Sequence, residues 1–136
     1  MNKVIFFVIL AFLATIGLAS AQQSVIVPAT TASVPIDIST ATTTRLVIGA
    51  SGKRIYATAM DVVSGGTGNI QFISGTGATC GTGTVNVTGT YTLTAQVGLT
   101  KGTGNGALWV LGSGLSLCAV TSAGVVMGGS LAYAIF

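Results

Sequence analysis

Acid–base, nucleophilic and metal-assisted catalysis all draw on His, carboxylates, activated thiols or Lys gathered in one pocket. This chain of 136 residues offers almost none of them. It has no His and no Glu, and its only carboxylates are Asp37 and Asp61. These two fall in different strand-like segments, so the expectation for each is a solvated or hydrogen-bonded strand residue, not half of a catalytic dyad. Ser and Thr abound, but none has an adjacent base to activate it. Cys80 and Cys118 are too far apart for a redox motif, and no His is available to complete a zinc site. We therefore expect no enzyme, no catalytic residue, no bound metal and no cofactor.

What remains is binding chemistry. Trp109 follows the segment Lys101-Gly102-Thr103-Gly104-Asn105-Gly106. An aromatic ring beside a Gly/Asn loop can stack on a sugar, so Lys101, Asn105 and Trp109 form a candidate ligand-facing loop, with core packing as the competing role for the tryptophan. Tyr91 and Tyr133 lie on the apolar faces of their segments and read as core. The tripeptide Asn86-Val87-Thr88 fits a glycosylation pattern but carries no weight alone. The net charge of +3 reflects scarcity of charge more than basicity. Arg45, Lys53, Arg54 and Lys101 cannot form a phosphate-tracking stripe, so nucleic acid is not an expected partner.

The elements that would position these residues are strands. Met1-Asn2-Lys3 gives a cationic start, Val4 to Leu18 is an apolar run, and Ala19-Ser20-Ala21 supplies the small residues a signal peptidase accepts. Residues 1–21 thus read as an apolar helix, either a secretory signal removed after Ala21 or a retained anchor. Membrane contact is expected only through this segment if it stays uncleaved. Export to an oxidising space makes a Cys80–Cys118 disulfide the default, closing a loop that stabilises by roughly 3–4 kcal/mol through loop-closure entropy. The expected locations are secreted, periplasmic or on a particle surface.

Residues 22–44, rich in Thr, Ser and Ala, read as an arm or edge strands. Residues 45–136 read as one domain. Val34, Ile36 and Ile38 alternate with Ser33, Pro35 and Asp37, which marks a half-buried strand, and Pro35 puts it at a sheet edge. Further segments are expected at 45–48, 54–63, 69–73, 84–88, 91–97, 107–111, 115–121, 125–127 and 130–136. Gly-Thr-Gly turns punctuate them without a fixed period, so no solenoid is implied. Eight to ten short strands at this spacing indicate an all-β antiparallel sandwich or jelly roll. A membrane barrel fits less well, because its strands need about 9–11 residues and two aromatic girdles. Half the residues are hydrophobic and only 5% are charged, a surface better suited to an assembly than to an isolated monomer.

From about Arg45 onward the chain resembles small β-rich proteins of tailed bacteriophages. The resemblance runs through Gly52-Lys53-Arg54-Ile55-Tyr56, the stretch from Phe72 to Gly83 around Cys80, and Thr88 to Gln96. It continues in Leu117-Cys118-Ala119-Val120-Thr121-Ser122-Ala123 and Gly129-Ser130-Leu131-Ala132-Tyr133. It implies a virion-associated protein such as a capsid decoration, head fibre or tail accessory, with itself and other virion or surface proteins as partners. The alternative is a secreted module that binds a carbohydrate or cell surface through the loop before Trp109, with a glycan as ligand.

Overall fold

The computed structural model describes residues 32–102, 106–122 and 124–136. Among them the chain is all-β, with ten strands and no helix: β1 (Ala32–Ile38), β2 (Thr43–Val47), β3 (Ile55–Ser64), β4 (Gly68–Thr76), β5 (Thr82–Asn86), β6 (Tyr91–Leu93), β7 (Gly98–Gly102), β8 (Trp109–Val110), β9 (Ser116–Thr121) and β10 (Met127–Ile135). The expected apolar helix over residues 1–21 lies outside the described residues, as do residues 22–31 of the expected arm. No described helix is long and apolar enough to cross a membrane.

Two antiparallel sheets face each other. One has the order β1-β10-β3-β7, with β8 also pairing β3. The other has the order β2-β9-β4-β5, with β6 also pairing β4. The first strand thus pairs with the last and the second with the last but one. The innermost pair is β4 with β5.

The alternation read from the sequence in β1 is present: Ile36 and Ile38 are fully buried, while Ser33, Pro35 and Asp37 are exposed. Pro35, which has no N–H to donate, sits on a strand that, among the described residues, pairs only with β10. The inward residues of the two sheets form one core. Ile36, Ile55, Met60, Val62, Met127 and Leu131 from one sheet meet Ile70, Phe72, Leu117 and Ala119 from the other. Each large side chain so buried stabilises by about 1.5–3 kcal/mol relative to exposure. β3 carries a bulge opposite Ala132/Tyr133. The additional residue, Thr58, is buried and satisfies its hydroxyl by donating to the Ala132 carbonyl at 3.2 Å.

Four expected segments are drawn differently. Residues 91–97 do not form one strand: β6 stops at Leu93, and Gln96 takes a positive φ of 63° in a turn held by Val97 N–H to Thr94 O at 3.1 Å. A strand then starts at Gly98, so Lys101, expected in a loop, lies in β7. The expected strand at 107–111 contracts to Trp109–Val110, flanked by Leu108 N–H to Ala57 O (2.6 Å) and Leu111 N–H to Ile55 O (2.9 Å). The separate segments at 125–127 and 130–136 merge into β10, where Gly128 and Gly129 continue the ladder to β3.

Candidate functional site

Three places on the molecule gather polar or aromatic groups. The first surrounds the cysteines. Cys118 lies on the outward face of β9, beside Ile73 of β4. Cys80 sits in the connection between β4 and β5, which folds back over that face. The two join in a disulfide with S–S 2.03 Å and Cα–Cα 6.2 Å, and with Ile73 they form a small buried cluster outside the inter-sheet core. Gly75 allows the fold-back, since a Cβ there would collide with the Cys80 carbonyl. Thr84 Oγ1 donates to Cys80 O at 2.6 Å, and Arg45 reaches across from β2 to donate to Gly77 O at 3.3 Å. The bridge is consistent with an extracellular or otherwise oxidising location.

The second place is a cleft of about 450 Å³ where β5 and β8 face each other across the open side of the two sheets. Val85, Asn86 and Val87 form one wall. Trp109, Val110, Leu111 and Leu115 form the other. The Trp109 ring packs on Phe72 with centroids 5.0 Å apart and planes tilted by 34°, a pairing worth about 0.5–1.5 kcal/mol beyond area burial. Trp109 is half-buried and belongs partly to the core, yet it still faces the cleft. Among the described residues, no charged side chain lines the space. Its polar groups are Asn86 and Ser74, and the Ser74 hydroxyl is turned to the Val85 carbonyl at 3.5 Å.

The candidate loop residues are not gathered there. Lys101 pairs with Met60 on β3 and lays its Nζ over the Tyr91 ring, 5.3 Å from the centroid. That contact, worth about 0.5–1 kcal/mol when exposed, links β7 to β6 at the other end of the open side. Trp109 pairs with Ala57. Asn105 lies outside the described residues. Of the cleft-lining residues, Asn86 and Val87 enter the sequence reading only through the glycosylation pattern, and Val85, Leu111 and Leu115 only as members of expected strands. No local signal marks them, since the chain carries no charged residue anywhere from 62 to 100.

The third place is the outward face of the β1-β10-β3-β7 sheet. Ser130 of β10 donates a short hydrogen bond to Asp61 of β3 across the ladder. Gly128 and Gly129 leave a shallow depression beside the pair. Asp37 pairs with Gly128 on the far strand, so the two carboxylates do not face each other as a dyad across one rung. A serine beside a lone carboxylate lacks the imidazole that would relay its proton, and the chain has no His to supply one. Among the described residues no three of His, Cys, Asp or Glu come together to hold a metal ion.

Comparison with known proteins returns no matching family model, no matching curated protein and no matching solved structure.

Proposed function

We propose that this protein is a non-enzymatic structural subunit that self-associates on a bacteriophage particle, as a capsid decoration, head fibre or tail accessory. The observation that carries the self-association is the β5 edge. All five of its residues are exposed, none is charged, and it borders an apolar cleft. Soluble proteins usually blunt such an edge with Lys, Pro or a covering segment, because its unpaired N–H and C=O groups template another strand. The strand order, first with last and second with last but one, supports a jelly-roll reading, an architecture used by viral capsid and lectin domains alike. Architecture alone therefore does not choose between a capsid and a lectin role. The phage assignment rests on the sequence resemblance.

A second reading, a secreted carbohydrate- or surface-binding module, draws on Trp109 and Asn86 lining one cleft. The mostly apolar lining and the packing of Trp109 on Phe72 favour it less. Two measurements separate the readings. Sedimentation velocity on the purified protein is expected to give a multimer, and peptide mass mapping of purified particles is expected to find the chain in stoichiometric amount. A monomer that is absent from particles and binds glycans through Trp109 would replace the first reading with the second.

A further inference from the structure

The self-association proposed above needs an interface, and the β5/β8 cleft identifies what enters it. We infer that the cleft receives the segment Ser24-Val25-Ile26-Val27 of a second copy of this chain, added as a strand along β5. This inference rests on the self-association reading and gives it a partner surface.

Three observations converge on that occupant. The first is chemical match. The cleft is walled by Val85, Val87, Trp109, Leu111 and Leu115 and has no charge, and Val85 is 56% exposed beside it. Residues 22–31 are also uncharged and contain one run of three β-branched residues, Val25-Ile26-Val27, followed by Pro28. In a strand, Val25 and Val27 share one face. β-Branched side chains suit a pleated surface, and Pro28, lacking an N–H, ends the pairing. Strand addition of this kind takes its affinity from main-chain hydrogen bonds and its specificity from alternate side chains entering a groove.

The second observation is placement. Ala32 pairs with Tyr133, Tyr133 with Ala57, and Ala57 with Trp109. The first described residue of β1 is therefore level with the tryptophan of the cleft, at the same end of the sheets. An arm leaving there can enter a neighbour's cleft when two such ends meet.

The third observation is reach. From Ala32 back to Val27 a fully extended chain covers about 17 Å. The path to β5 of the same molecule crosses three strand spacings, about 14 Å, and the gap between sheets, about 10 Å. The combined distance consumes the full reach and leaves nothing for the turn over the end of the sheets. A second copy's arm meets no such constraint.

The test uses the full chain and two sets of substitutions. Val25→Lys with Val27→Lys spoils the arm, and Val85→Lys spoils the cleft at a residue too exposed to hold the core together. Circular dichroism checks that each still folds. Sedimentation velocity should show wild type assembled and each variant monomeric. Mixing the two variants one to one should restore a dimer, because one intact arm then meets one intact cleft. Trp109 is the chain's only tryptophan, and its emission should shift to the blue on mixing. Assembly retained in both variants would overturn the arm inference and leave self-association standing through another surface. A wild type that is monomeric at all concentrations would remove self-association itself. Monomeric variants that stay monomeric on mixing would overturn the exchange between copies.

Discussion

β1 and β5 are both edge strands, one in each sheet, and they are held by opposite means. β1 buries Ile36 and Ile38 completely and turns Pro35 and Asp37 to solvent. Its inner face anchors it, and a missing N–H and a charge discourage any further partner. β5 buries nothing: Thr82, Gly83, Thr84, Val85 and Asn86 are all exposed. It is retained by its ladder to β4, by Thr84 on the Cys80 carbonyl and by the disulfide-pinned loop that leads into it. Its line is broken at Gly83, where φ is 63° and two residues of β5, Gly83 and Thr84, oppose the single Gly75 of β4. One edge is stabilised by burial and protected by charge. The other is tethered and, among the described residues, has no strand on its far side.

Breaking the tether should have the largest effect. Cys80 and Cys118 lie 38 residues apart, and removing the bridge with Cys80→Ser and Cys118→Ser should cost about 4 kcal/mol by loop-closure entropy. Urea denaturation gives the magnitude. Hydrogen exchange gives the sharper reading: β5 amides should lose protection first, while β1 keeps its own. Uniform loss across both edges would mean that the bridge supports the whole fold and not one strand. Breaking the burial side comes next. Ile36→Ala should cost about 2–4 kcal/mol, as large-to-small core changes do, and should free β1 while the pinned loop stays protected.

This contrast was half legible in the sequence. β1 announced itself because Val34, Ile36 and Ile38 alternate with polar partners, and alternation is set by the pleat. Pro35 located the edge for the same local reason. β7 was hidden, since Gly98-Leu99-Thr100-Lys101-Gly102 has a single apolar inward residue and two terminal glycines that read as turn. The break after Leu93 was equally hidden, because Gln96 adopts a left-handed φ that non-glycine residues rarely take. The disulfide could be named from the cysteine count, but its position outside the core depended on which face of β9 carries Cys118. The cleft was illegible for a topological reason. Its walls come from residues 85–87 and 109–115, and nothing local says that those segments face each other across two sheets.

A smaller effect tests the close approach beneath the tether. Gly75→Ala places a methyl group against the Cys80 carbonyl. Overpacking of this kind costs about 1–3 kcal/mol, less than losing the bridge. Thermal unfolding should register it as a lowered midpoint with the disulfide still formed. An unchanged midpoint would mean that the loop lifts freely and that Thr84 and Arg45 hold it only loosely.

The smallest expected change in stability carries the clearest lesson about the two edges. Pro35→Thr with Asp37→Thr removes from β1 the two features that β5 lacks, at positions that are already exposed. Surface substitutions away from caps, cores and networks usually stay within about 0.5 kcal/mol, so the unfolding midpoint in urea should hardly move. Association should move a great deal. With its N–H restored and its charge gone, β1 becomes a further uncharged edge, and the protein should form larger species in sedimentation velocity than wild type at the same concentration. If the assembly is unaltered, Pro35 and Asp37 are not what keeps β1 unpartnered. The distinction between the edges would then lie in the apolar cleft beside β5, and not in charge.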